Sequence, residues 1–118
     1  MEPIKIILKT LPLSINQSYK SGKGVFYKSQ KAKETQEAIQ WEMRAQYRGK
    51  PLTGPLKISL TFFWPDMRRH DIDGPLKGLF DAGNGILYED DSQIVWLRDI
   101  TKVVDEERPR VEMLLSEA

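Results

Sequence analysis

The sequence predicts an α+β fold, a mixed β-sheet of about four or five strands packed with two main helices. Three observations carry this. Apolar runs recur at residues 4–8, 56–64, 93–104 and 110–115, and the last three alternate with a period of two. A longer segment, 29–47, opens on Ser29 and closes on Arg48-Gly49-Lys50-Pro51, the punctuation of a helix. A shorter one, 74–82, sets Leu76, Leu79 and Phe80 at helical spacing behind Pro75.

The elements follow in chain order. Residues 4–8 are a β-branched apolar run and read as a buried strand. Residues 11–24 hold Pro12, Ser14, Asn16, Ser18, Ser21, Gly22 and Gly24, a loop composition, with a short strand after them at 25–27. Ser29 caps a helix that runs to about Tyr47, with Ala38, Ile39, Trp41, Met43 and Ala45 along it; Gly49 stops it and Pro51 cannot continue it. In 56–64, Leu56, Ile58, Leu60 and Phe62 point one way. A charged connector, 65–70, leads to the second helix. Asp73 is placed to cap that helix, Pro75 is tolerated in its first turn, and Gly83-Asn84-Gly85 ends it. In 93–104, Ile94 and Trp96 alternate against Val95 and Leu97. Residues 105–109 form a polar turn, after which 110–115 returns antiparallel with Val111, Met113 and Leu115 on one face.

The 118 residues predict one domain over 1–118, able to bury one core. A site that needs two catalytic centres would therefore favour a homodimer. The chain has no cysteine, which excludes disulfides, thiolate metal ligands and cysteine nucleophiles. No apolar run is long enough for a membrane span. The early acid and Lys5 within the first apolar stretch do not fit a secretory signal, so cytoplasmic location is expected. No Gly-x-x-x-x-Gly-Lys phosphate loop occurs, so no nucleotide cofactor is expected. The net charge is +1, but it is unevenly placed: residues 1–50 hold 10 Lys+Arg against 4 Asp+Glu, and residues 51–118 hold 8 against 13. A basic half can attract phosphates while an acidic half gathers carboxylates for metal, although 35 charges also divide unevenly by chance.

The chemistry concentrates in 65–77. Asp71 and Asp73 are two apart, so an extended backbone projects them to one side. Carboxylates held together repel unless a cation lies between them, and oxygen ligands of this kind suit Mg²⁺ or Mn²⁺. Lys77 follows Asp73 by four residues and, if Asp73 caps the helix, points back towards the acids, where a cation can stabilise charge on a phosphate oxygen or a leaving group. Glu89-Asp90-Asp91 supplies further acids before the long strand, and a turn bringing Asp91 beside Asp71 and Asp73 would complete a metal cluster able to activate water against phosphorus. Asp73 reads equally as a helix cap, and Asp90-Asp91 as a solvated loop. An EF-hand is excluded, because Pro75 and Leu76 fall where a ligand and a glycine are required. His70, the sole histidine, could ligate metal or relay a proton beside Asp71, but reads better as an exposed member of the basic run Arg68-Arg69-His70. For nucleic acid, the candidate contacts are Lys20, Lys23, Lys28, Lys31, Lys33, Arg68 and Arg69. Tyr19, Phe26 and Tyr27 interleave with the first of these and suit stacking on unpaired bases.

At these residues the chain resembles the RusA family of Holliday-junction resolvases. The resemblance rests on Arg68-Arg69-His70-Asp71-Ile72-Asp73-Gly74-Pro75-Leu76-Lys77, on Phe80-Asp81-Ala82, on Asp90-Asp91-Ser92-Gln93-Ile94, and on the early Leu11-Pro12 with Ser14-Ile15-Asn16-Gln17-Ser18-Tyr19. It implies a Mg²⁺-dependent endonuclease, with Mn²⁺ a possible substitute, acting as a homodimer on branched DNA and placing paired nicks in opposing strands of a four-way junction. It implies Asp71, Asp73 and Asp91 as catalytic metal ligands, Lys77 as the essential cation and Asp90 as a supporting neighbour. The family includes small resolvases carried by phages and prophages. One departure stands out: Gly74-Pro75 follows the acid pair where the family often has Asn. Two other readings stay open, a junction-binding module without catalysis and a metal-dependent nuclease without junction preference.

Overall fold

The computed structural model describes residues 2–13, 19–22, 25–66 and 74–118, with backbone alone for 19–22 and 25–28. Strand β1 is Ile4–Leu8, β2 Tyr19–Gly22, β3 Val25–Lys28, β4 Leu56–Trp64, β5 Ile94–Val104 and β6 Arg110–Glu117. Helix α1 is Gln30–Gln46 and α2 is Leu76–Gly83, and a single 3-10 turn spans Asp91–Gln93. The α+β class is as expected, with four strands in one mixed sheet ordered β1-β6-β4-β5. A separate hairpin pairs β2 with β3, from Tyr19 opposite Lys28 to Gly22 opposite Val25. The expected loop at 11–24 therefore contains a strand.

The sheet is built round β4. Its burial alternates without a break, and Leu56, Ile58, Leu60 and Phe62 are almost wholly buried. They meet Ile6 and Leu8 from β1, Val111, Met113 and Leu115 from β6, Ile39 and Met43 from α1, and Leu79 from α2. Strands β4 and β6 run antiparallel, as do β6 and β1, whereas β4 and β5 run parallel. A parallel neighbour needs a crossover, and the segment containing α2 supplies it.

This overturns the hairpin expected between 93–104 and 110–115. β6 does not lie beside β5; β4 separates them. The polar turn exists, but it crosses the end of β4, where the Asp105 amide donates to the Trp64 carbonyl at 2.8 Å. An apolar central strand must be paired on both edges, and that requirement outranks sequence proximity.

The alternation read in β5 also fails, for a local reason. Opposite Leu56, Lys57, Ile58 and Ser59 stand Ile94, Trp96, Leu97 and Asp99, so Val95 and Arg98 are extra residues at two β-bulges. Only Ile94 and Ile100 are half-buried on this strand.

Helix α1 starts as expected. The Ser29 hydroxyl accepts from the Ala32 amide at 3.1 Å. Its far end reaches the sheet edge: the Gln46 side-chain amide donates to the Ile7 carbonyl and accepts from the Ile7 amide, both at 2.7 Å. Glu42 accepts from the amides of Lys9 and Thr10. Side chains thus satisfy an edge that would otherwise present free strand groups.

Candidate metal centre

Helix α2 carries Leu79, Ala82 and Gly83 on its buried side, with Leu76 and Phe80 packed against the core. Its N-cap is Pro75, and no side chain caps it there. The cap expected from Asp73 is not at that position, since the helix begins at Leu76; Asp73 itself lies outside the described residues. The fixed φ of Pro75 suits the start of the helix.

The chain after α2 folds back tightly. The Gly83 carbonyl accepts from the amides of Ile86 and Leu87 at 3.1 and 2.9 Å, and Gly85 adopts a φ of 77° that favours glycine. Tyr88 is fully buried, and its hydroxyl donates to the Phe80 carbonyl near the helix end at 2.7 Å. Its ring lies over Gly83: a Cβ there would come within 2.5 Å of the Tyr88 oxygen. The glycine is needed for that close approach.

This anchored segment delivers the motif Asp90-Asp91-Ser92-Gln93. Each residue has a separate task. Asp90 caps the 3-10 turn, accepting from the Ser92 amide at 2.9 Å, while the Gln93 side chain accepts from the Asp90 amide at 2.9 Å. The Gln93 amide group also donates to the carbonyls of Leu52 and Gly54 at 2.9 and 3.0 Å, tying the turn to the segment before β4. Asp91 is left to face α2. Hydrogen bonding to Ser92 holds the Asp90 carboxyl below the usual range. Asp91 goes the other way: loss of solvent, then repulsion from Asp81 and Asp90, pushes its carboxyl up. Lys77 on α2 pairs with Asp81 at 3.1 Å.

The donor set fits a hard divalent cation. It is all oxygen, and the neighbouring negative charge that pushes the Asp91 carboxyl up is what a bound cation would offset. Among the described residues no group of three acidic or histidine side chains forms a metal site. Of the expected set the structure describes Lys77, paired with Asp81 on α2, and Asp91, on the 3-10 turn that packs against that helix. Asp71, Asp73, Arg68, Arg69, His70 and Lys23 lie outside the described residues. Of the other expected DNA contacts, Lys31 and Lys33 are exposed on the first turns of α1, and Lys20 and Lys28 sit on β2 and β3.

Sequence reading gave Asp81 no role of its own. A signal was present, because Lys77 and Asp81 are four apart on the same helix. Tyr88, Gly83 and the latch made by Gln93 had no such signal, since each depends on tertiary contacts.

A family model described as Endodeoxyribonuclease RusA matches residues 11–116. The chain is 30% identical over 83 residues to a protein named crossover junction endodeoxyribonuclease RusA from Aquifex aeolicus (strain VF5), covering 70% of this chain and 66% of that one. It is 38% identical over 74 residues to a protein of the same name from Lactococcus phage r1t, covering 53% of this chain and 55% of that one. It is 47% identical over 47 residues to an uncharacterized protein, YqaN, of Bacillus subtilis (strain 168), covering 40% of this chain and 32% of that one. In each case the match spans less than two thirds of the relative's own length. The family match runs from before β2 to the penultimate residue of β6 and takes in α2, Asp91 and the Gln93 latch: the chain belongs to the RusA endodeoxyribonuclease family.

Proposed function

We propose that the chain is a metal-dependent, structure-selective endodeoxyribonuclease that resolves four-way (Holliday) DNA junctions by paired symmetric nicks, in recombination and repair. The observation that carries this reading is Asp91, a carboxyl held beside another carboxyl and next to the Lys77–Asp81 pair, in a chain whose family is RusA. Two of its relatives are named crossover junction endodeoxyribonucleases.

In this reading Asp71, Asp73 and Asp91 hold Mg²⁺, for which Mn²⁺ can substitute. A divalent cation bound there supplies a water nucleophile at neutral pH and offsets charge on the phosphate. The protein's own residues do the rest. Lys77 stabilises negative charge on a phosphate oxygen or the leaving group. Lys20, Lys23, Lys28, Lys31, Lys33, Arg68 and Arg69 hold backbone phosphates and set the register of the DNA. Two copies form a homodimer, so that each subunit cuts one strand of a nearly two-fold junction. No helix among the described residues is long and apolar enough to cross a membrane; the proposed place of action is the cytoplasm, on branched DNA.

The test is cleavage of a synthetic four-way junction in Mg²⁺ and in EDTA, with plain duplex as comparator. Paired nicks in the junction that need Mg²⁺ are expected. Equal rates on duplex and junction would sink junction selectivity. Tight junction binding without cleavage in Mg²⁺ or Mn²⁺ would show a binding module instead.

A further inference from the structure

We propose that Asp81 is a positioning residue of this site, which holds the Lys77 ammonium in place through their ion pair. The proposal rests on the functional reading above for the role of Lys77. Its own support is an anomaly in α2. On this short helix, Leu76–Gly83, the cation Lys77 stands in the first turn and the carboxylate Asp81 in the last, and neither an acid in the first turn nor a base in the last offsets them. Both charges oppose the helix dipole, which favours acids at the start and cations at the end. The order of the pair is also the less favourable one, since an acid preceding a lysine by four residues stabilises a helix better than the reverse. The helix would gain from exchanging the two residues.

The arrangement makes sense for the site. Lys77 is half-exposed, with 52% of its side chain accessible, on a flexible four-carbon stem. Its ion pair with Asp81 at 3.1 Å restricts where that stem can go. The 3-10 turn that carries Asp91 packs against this helix. Tyr88, bonded to the Phe80 carbonyl, fixes the helix end from which Asp81 projects. A rule of local stability broken beside a catalytic group is what a functional position produces.

The test combines three readouts on Asp81→Asn, Lys77→Ala and the double variant. The first is the single-turnover rate of junction cleavage at saturating Mg²⁺. The second is Mn²⁺ binding to the DNA-free protein by calorimetry. The third is the melting temperature. Asp81→Asn should slow cleavage by about 10- to 100-fold, with Mn²⁺ affinity changed by less than about threefold and no fall in melting temperature. The double variant should be no slower than Lys77→Ala alone, because Asp81 acts through Lys77. Asp81→Glu should recover part of the rate. Additive losses, or a melting temperature that falls with the rate, would overturn the proposal in favour of a general structural role. Loss of Mn²⁺ affinity by about tenfold or more would overturn it in favour of direct ligation. Wild-type protein that cuts no junction overturns the functional reading and this proposal with it, an outcome distinct from the others.

Discussion

Consider the turn at 105–110 beside the site formed by residues 77–93. Both are rich in carboxylates. In the first, Asp105 accepts from the amides of Glu107 and Arg108 at 3.2 and 3.1 Å, and the Arg110 guanidinium reaches both Asp105 and Glu112 at 2.9 Å. That guanidinium also lies 3.6 Å over the Phe63 ring, and Lys5 pairs with Glu112 at 3.2 Å. Here the acids have been given donors. At the site, Asp90 has donors, but Asp91 faces Asp81, another acid. On the function proposed above, the difference separates charge that holds a fold together from charge kept ready for a ligand. Net charge or acid count would not have distinguished them.

The sharpest way to break the comparison is to neutralise the carboxyl that has no structural task. Asp91→Asn should reduce junction cleavage by about 10³-fold or more. It should also raise the melting temperature of the metal-free protein at pH 7, by about a degree or two. The sign follows from the raised folded pKa of Asp91: at neutral pH the fold disfavours its charged form, and the penalty disappears as pH falls through that pKa. The stability gap between variant and wild type should therefore close as pH falls from 7 through that pKa to the ordinary value of 3.8, which melting curves at stepped pH would show. Asp73→Asn should likewise abolish cleavage while junction binding survives, because removing a negative charge does not weaken a phosphate contact. Equal loss of binding would make Asp73 structural.

A smaller effect is expected from loosening the turn that carries Asp91. Gln93→Ala removes the bonds to Leu52, Gly54 and the Asp90 amide. Cleavage should fall by about 10- to 100-fold, in the manner of other residues that orient a ligand, and stability by about 1–2 kcal/mol in urea unfolding. Unchanged cleavage would show that Asp91 keeps its place without the latch. Gly83→Ala acts one step further away. Its Cβ would collide with the Tyr88 hydroxyl, displacing the ring from the Phe80 carbonyl, at a cost of about 2–3 kcal/mol. Tyr88→Phe, which removes the hydroxyl but not the ring, should cost about 1 kcal/mol.

Much of the fold was legible where the signal is local. The strand at 56–64 and the Ser29 cap each depend on neighbours a few residues away, and the structure has both. The pairing of the strands was not legible in the same way. A five-residue polar turn between two alternating runs suggests a hairpin, and nothing local reveals that β4 lies between them. The two bulges in β5 escaped for a similar reason, because an extra residue is defined only against its partner strand. At the site, Asp91 was marked by the company of Asp90 and Gln93 in a known motif. The different tasks of Asp90 and Asp91 became visible only when the turn was built and one of them was seen to cap it.

The other half of the comparison predicts an effect on pH dependence with none on catalysis. Donation from the Arg108 amide, then from Arg110, holds the Asp105 carboxyl below its usual range. Burial works against Glu112, but hydrogen bonds from Arg110 and Lys5 outweigh it and hold that carboxyl low as well. Acids with lowered folded pKa values contribute stability that is present above their ordinary values, 3.8 and 4.5, and is lost as pH falls through the folded ones. Arg110→Ala removes the common partner, so the fold should lose melting temperature at pH 7 and lose less of what remains between pH 5 and pH 3 than the wild type does. That is opposite in sign to the acid response of Asp91. Cleavage at pH 7, measured below the melting transition, should stay within about twofold, because this turn has no part in the proposed chemistry. A large loss of cleavage in the folded Arg110→Ala protein would mean that the two acidic regions are coupled, and the division between structural and functional charge would fail.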